Sequence, residues 1–307
     1  MTAITAGATP GPTVAPGMEL QDKPVSMFRR GLSVFIENKL ALVSLVILIA
    51  IVLFAFVGPD LYHGSLSINL ETITDPPGAG HPLGTDQDGT DQLYRLMLGA
   101  QASLEVGLAA GVIAAVVGSF YGAISGYVGG WLDALLMRFI DAMFSLPLIF
   151  LLIFVCAVYG NGKTVLIMAI GLTSWFANAR LSRGESLTIK VRDYVAACKM
   201  MGGSTRRIIV RHVMPNTVGT TIVNTTFSIA DAIFALSTLS YIGLGLVAPH
   251  DDLGGMLDAG TNYASNGWNA YWWLIYPPAF LIILTILCFN VIGDALRDAF
   301  ETRLQKR

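Results

Sequence analysis

The stretch "YVAACKMMGGSTRRIIVRHVMPN", Tyr194 to Asn216, holds three arginines, a lysine, a histidine, the pair Gly202-Gly203 and Pro215. It lies between two long apolar segments. The chain of 307 residues is 54% hydrophobic and only 13% charged, with a mean hydropathy of +0.62. Soluble domains carry about 25% charged residues, so the bulk numbers describe a membrane protein. In such a chain a basic interruption marks a return to water, and the side it faces orients everything else.

Working outward, six segments approach the ~20 apolar residues needed to cross about 30 Å of hydrocarbon. They are Leu40 to Gly58, Leu104 to about Gly126, Phe139 to Tyr159, a short one from Val165 to Ala179, Val218 to Gly243, and Trp272 to Ile292. Lipid leaves backbone groups no external partners, so open spans must be helices. The expected fold is all-α, polytopic, with six transmembrane helices. Residues 1–27, rich in Thr, Ala, Gly and Pro, read as a disordered cytoplasmic tail without a signal peptide. Residues 28–307 form the membrane domain, with an external loop at 59–103 and a cytoplasmic loop at 180–216.

Charge orients the spans. With the N-terminus inside, seventeen of the nineteen basic residues fall on the cytoplasmic side, and only Arg95 and Lys163 fall outside. Both termini and the opening stretch are then expected in the cytoplasm of a cell whose inner membrane holds the chain. The external side is acidic, with Asp60, Glu71, Asp75, Asp86, Asp88 and Asp91 in the first loop and Asp251, Asp252 and Asp258 in the last. Two readings stand: solvated loop charges, or a surface complementary to a soluble external partner.

Within the spans, Gly118, Gly122 and Gly126 repeat every four residues and share one helical face. They allow either close helix packing or a glycine-lined route. Arg138 and Asp141 have i,i+3 spacing for an ion pair, and Pro147 predicts a kink or hinge. Asp231 lies well inside the fifth span, preceded by Asn224, Thr225 and Ser228. Exposure of its charge to lipid would cost several kcal/mol, so the polar run serves helix–helix packing or a translocation path and gate.

Enzymatic readings find no support. The sequence contains no HExxH, no phosphate-binding Gly-rich loop and no dinucleotide fingerprint. Its four histidines fall on opposite sides of the membrane, and Cys156, Cys198 and Cys288 are widely spaced. No metal site or bound cofactor is expected. Topology accounts for the basic residues, so nucleic acid is not an expected partner.

The quoted stretch resembles the EAA loop of permease subunits in binding-protein-dependent ABC importers. Ala196-Ala197-Cys198, then Gly202 three residues on, then His212-Val213-Met214-Pro215 follow its pattern, with Ala196 where a glutamate is usual and Cys198 where an alanine is usual. "YVAACKMM" can form two helical turns, Gly202-Gly203 can end them, and Ser204 can cap a new start. A partnerless interfacial helix-turn-helix is the alternative reading of the same residues.

Other motifs narrow the resemblance to the C-type permeases of dipeptide, oligopeptide and nickel importers. "HPLGTDQDGTDQLYRLMLGAQASLEVG" (His81–Gly107) looks like the family's segment entering span two and includes Gly84, Thr85, Asp86, Gly89 and Asp91. Gly89-Thr90-Asp91 stands where Gly-Arg-Asp is common. "LSYIGLGL" (Leu239–Leu246) and "FNVIGDALRDAFETRL" (Phe289–Leu304) match further family segments, and the likeness covers about residues 28–304.

That resemblance implies a type I ABC importer permease fold and a non-enzymatic role. The implied partners are a homologous second permease, two cytoplasmic ATPases that use ATP and Mg, an external substrate-binding protein, and membrane lipid. Tyr194, Ala196, Ala197, Cys198, Gly202, Gly203, Arg207, His212 and Pro215 would form the ATPase-coupling loop. Asn224, Ser228, Asp231 and Pro147 are the candidates for path or gate. The implied cargo is a dipeptide or short oligopeptide, with nickel chelates, glutathione and opine-like conjugates as alternatives. A non-transport membrane scaffold is the more distant alternative.

Overall fold

A computed structural model describes residues 35–246, 251–263 and 271–301. The expected N-terminal tail at 1–27 and the last residues of the C-terminal motif lie outside the described residues.

Helix α1 (Lys39–Phe56) starts where the Asn38 side chain accepts the Leu40 and Ala41 amides at 3.1 and 3.2 Å, supplying acceptors to otherwise unpaired donors. After a single helical turn at Gly58–Leu61 follow α2 (Gln92–Val128), α3 (Gly130–Phe144), α4 (Leu148–Tyr159), α5 (Lys163–Lys190), α6 (Asp193–Met200) and α7 (Thr205–Ile208). A π-helical turn at Ile209–Val213 leads into α8 (Met214–Tyr241), and α9 (Leu253–Tyr263) and α10 (Trp272–Glu301) close the order. No sheet is present among the described residues. Five helical stretches are long and apolar enough to cross a membrane, with Thr205–Tyr241 counting as one, and α3 plus α4 make a sixth if that bent pair is one span.

The centre is the α2–α5 pair, with α8 packed against both. Its closeness follows from the glycine repeat. A Cβ on Gly118 would lie 2.7 Å from the Trp175 carbonyl oxygen, and one on Gly126 would lie 2.7 Å from that of Arg183. Helix packing is therefore what these glycines provide. Apolar clusters fill the layers around them: Leu152, Cys156, Leu166 and Ile170 join Leu236 and Leu239 in one, while Leu104, Ile233, Leu253 and Phe289 belong to another.

Several sequence expectations are corrected. Helix α2 begins at Gln92, so residues 92–103 of the expected external loop are helical, because Asp91 caps a continuous helix. The fourth span runs from Lys163 to Lys190 and not merely to Ala179. Its polar second half is neutralised by α3: Arg180 meets Asp141 at 2.5 Å, and Arg183 meets Asp133 through two contacts of 2.6 Å. Asp141 thus pairs with Arg180 and not with Arg138, which stands exposed. At Pro147 the chain does more than kink, since α3 and α4 are bent by 84° across the break. Within the loop expected at 180–216, the two short helices expected on either side of Gly202-Gly203 are α6 and α7, while the end of α5 and a π turn add helix that was not expected.

Candidate functional site

Three neighbourhoods collect the singled-out residues. The first is an elbow formed by α6 and α7. Helix α6 ends at Met200, and Gly202 adopts φ +81°, where a side chain is rarely tolerated, although nothing lies within 4 Å of a Cβ there. The constraint is thus conformational and not steric. Gly202 and Gly203 donate their amides to the Lys199 and Cys198 carbonyls at 3.0 and 2.9 Å, and the Ser204 hydroxyl accepts the Arg207 amide at 3.4 Å to start α7.

Pro215 follows in the first turn of α8. It lacks an N–H, and its ring crowds the carbonyl four residues back. The preceding turn is accordingly widened, with Met214 donating to the Ile209 carbonyl in π geometry. Asn216 donates to the His212 carbonyl at 2.6 Å, and the His212 ring lies 6.3 Å from that of Tyr194. All nine residues assigned to the loop therefore fall on one structural unit.

The elbow is held by its inner face. Val195, Ile208, Ile209 and Val213 are buried in one cluster with Ala123 and Tyr127 at the end of α2. Each such burial contributes about 1.5–3 kcal/mol, which is ample to fix an elbow of two short helices. The outer face is open: Met200 is 89% exposed, Met201 81% and Tyr194 45%. Ala196, Ala197 and Arg207 are exposed and Cys198 is half-buried. Arg192, Lys199, Arg206 and Arg211 are exposed along the same stretch, while Asp193 is the sole carboxylate between residues 191 and 216.

The second neighbourhood is a polar crevice where α2, α5 and α8 meet. Ser119, Asn178, Ser182, Glu185, Thr220, Thr221 and Asn224 line it. Asn178 donates to Ser228 at 3.0 Å, Ser182 donates to the Ser119 carbonyl at 3.0 Å, and the Ser119 and Thr221 hydroxyls are 3.1 Å apart. Asn224 belongs to the lining, whereas Ser228 is buried against Asn178. Asp231 stands exposed on α8 with no hydrogen bond or ion pair among the described residues. Pro147 does not line the crevice; it sits at the start of α4. Ser182 and Glu185 lie beyond a span that hydropathy ends at Ala179, and Asn178 is a single polar residue near that span's end, so none of the three stands out in the sequence. Their i, i+4, i+7 spacing on one helical face was the available signal.

The third neighbourhood lies between α1 and α2. Asp86 accepts the Asp88 and Thr90 amides at 2.9 and 2.8 Å, the Thr90 hydroxyl at 2.5 Å and Arg95 Nη1 at 2.5 Å. Arg95 also meets Asp251, tying this loop to the segment before α9. Asp91 caps α2 through the Tyr94 amide at 2.9 Å, and its other oxygen is 2.7 Å from the Tyr62 hydroxyl and 2.9 Å from His81 Nδ1. Burial, followed by the hydrogen bond and charge of Asp91, pushes the Tyr62 phenol up to about 12.

Gly89 turns at φ +70°, where a Cβ would run into the Asn69 carbonyl. Gly84 also has positive φ, and the buried Thr85 accepts the Trp273 indole N–H on its carbonyl at 3.2 Å. Asp252, buried by α9, accepts the Gly254 amide and the Ser240 hydroxyl; burial raises its carboxyl, and these bonds oppose the rise. Asp86, Asp91 and Asp252 are thus internal fasteners, while Asp60, Glu71, Asp75 and Asp88 remain exposed.

Among the described residues no group of three His, Cys, Asp or Glu is placed to hold a metal, and the three cysteines are free. A family profile described as the inner membrane component of binding-protein-dependent transport systems matches residues 107–306. Another, the N-terminal transmembrane domain of oligopeptide transport permease C, matches 26–77.

The chain is 40% identical to the dipeptide transport system permease protein of Bacillus subtilis, over 88% of this chain and 84% of the relative. It is 36% identical to the same organism's oligopeptide transport system permease protein, over 94% and 93%. The Escherichia coli K12 oligopeptide permease protein is 37% identical over 88% and 89%. A chain from a solved structure of the MetNI methionine ABC transporter in inward-facing conformations shares the fold, with a TM-score of 0.52 and 16% identity over 66% of this chain and 96% of that one. The elbow, the membrane helices and these matches together make the chain a C-type member of the binding-protein-dependent inner-membrane permease family.

Proposed function

We propose that the chain is one of two permease subunits of an ATP-driven importer of dipeptides or short oligopeptides, with the elbow Asp193–Val213 seating in a cytoplasmic ATPase. The carrying observation is the elbow's two-sidedness. Its inner residues are buried against the end of α2, while Met200 and Met201 stand almost free on a stretch whose other exposed residues include Arg192, Lys199, Arg206 and Arg211. An exposed apolar tip in water marks an interaction surface, and its charge suits an apolar cleft with an acidic rim. The likeness to dipeptide and oligopeptide permeases supports the cargo class.

The rest follows from this reading. A second permease covers the open side of α8, ATP and Mg are used by the partner ATPases, and an external binding protein delivers the peptide. Both termini are cytoplasmic, as the basic residues favour. The decisive experiment is co-purification from cells expressing this chain with the second permease and the ATPases. Replacing Met200 and Met201 together by Asp should leave insertion intact, because neither packs inside the chain, yet reduce ATPase recovery at least tenfold. Undiminished recovery would refute the coupling assignment.

A further inference from the structure

Helix α8 is packed by α2, α4, α5, α9 and α10, yet one of its sides is covered by no helix among the described residues. Asp231, Phe234 and Tyr241 are exposed there, and Thr220 and Asn224 are partly so. A carboxylate facing hydrocarbon would cost several kcal/mol, so the Asp231 side faces water or protein and not lipid. Glu185 of α5 stands in the crevice beside Thr220, whose hydroxyl is its hydrogen-bonding partner. Thr220 and Asp231 are eleven residues apart on α8, or about 16 Å at 1.5 Å per residue.

Among the described residues no ion pair joins either carboxylate to a cation. Four basic groups of the membrane helices are paired with other acids: Arg95 with Asp86 and Asp251, Lys163 with Glu105, Arg180 with Asp141, and Arg183 with Asp133. Glu105, Asp133 and Asp141 of the membrane helices each meet a positive partner, and these two do not. Between them lie Thr220, Thr221 and Asn224, neutral groups that can exchange hydrogen bonds with a passing chain.

Building on the importer reading, we infer that Glu185 and Asp231 form an electronegative track that favours passage of a peptide's ammonium or guanidinium group. The cation comes either from the peptide's amino terminus or from a basic side chain. A carboxylate separated from such a group by a few ångströms of water-rich path attracts it by roughly 1 kcal/mol, enough for about a fivefold rate preference. Weak attraction at two separated points speeds transit without trapping the cargo.

The test uses the complete importer in proteoliposomes, with its ATPases and with binding protein saturated by each peptide at concentrations set from separately measured affinities. Probes are Ala-Ala-Ala, N-acetyl-Ala-Ala-Ala and Ala-Lys-Ala. The expected result is ATP-driven uptake about fivefold faster for peptides carrying the relevant cation, a preference that Asp231→Asn and Glu185→Gln each reduce and that Asp231→Glu retains. Both free peptides outpacing the acetylated one identifies the terminus as the source; Ala-Lys-Ala alone outpacing the others identifies the side chain.

Equal rates for all three peptides, or a preference untouched by both neutralising variants in complexes that retain their ATPases, would overturn the track. Absence of ATP-dependent uptake of every peptide by the assembled wild type would overturn the importer reading and the track with it.

Discussion

Replacing Asp86 by Asn perturbs the clamp between α1 and α2 without changing its volume. The carboxylate accepts two backbone amides through Oδ1, and the Thr90 hydroxyl and Arg95 Nη1 through Oδ2. An asparagine can keep the first pair, but its NH2 would then face two donors. Two charge-assisted bonds, from Arg95 and from the Thr90 hydroxyl, each worth about 1.5–3 kcal/mol, are lost. Arg95 keeps Asp251, which limits the total to about 3 kcal/mol. That corresponds to roughly a hundredfold more frequent opening of the loop.

Hydrogen exchange on the detergent-purified chain can read this opening directly. The Asp86 and Asp91 amides, bonded to the Thr90 and Ser65 carbonyls at 3.0 and 3.1 Å, are the reporters. Asp88→Asn is the control, since that side chain is exposed and only its backbone amide meets Asp86. Exchange within about threefold of wild type in Asp86→Asn would refute the claim that this carboxylate holds the loop, because the lost bonds would then have to be worth under ~1 kcal/mol.

Gly118→Ala should force α2 and α5 apart, because its Cβ would meet the Trp175 carbonyl oxygen at 2.7 Å and the Ala179 nitrogen at 3.0 Å. We expect about 2 kcal/mol of destabilisation and a clearly lower melting temperature in detergent, whereas Gly184→Ala, with open space around it, should be neutral; equal melting of the two variants would contradict the close-packing reading. Cysteines introduced at Ser204 and Gln87 should react with a membrane-impermeant reagent from the cytoplasmic and external sides respectively, in intact cells against inverted vesicles. Labelling of both from one side would break the orientation.

Signals that depend on local chemistry were readable from the chain alone. Gly202, Ser204 and Pro215 predicted the elbow because turn, cap and helix restart are decided within a few residues. The glycine repeat of α2 predicted a close neighbour but could not name α5. What hydropathy missed were charges whose partners are distant in sequence. Arg180 and Arg183 looked like the end of a span until Asp141 and Asp133 met them, more than thirty residues away. The same blindness hid Glu185 and cast Asp86 and Asp91 as surface charges, although Arg95, Asp251 and Tyr62 complete their surroundings.

Helix α2 joins the two ends of the molecule. Asp91 fixes its first turn within the Asp86 clamp, and Ala123 and Tyr127 near its other end hold the elbow. Its 37 residues make a rod about 55 Å long at 1.5 Å per residue. Pivoting such a rod by roughly 5° about one end sweeps the other through about 5 Å, close to one helical turn. A lever of that length needs no soft joint along its shaft: a rocking too small to disturb the glycine-lined seam with α5 is already a full step at the far end.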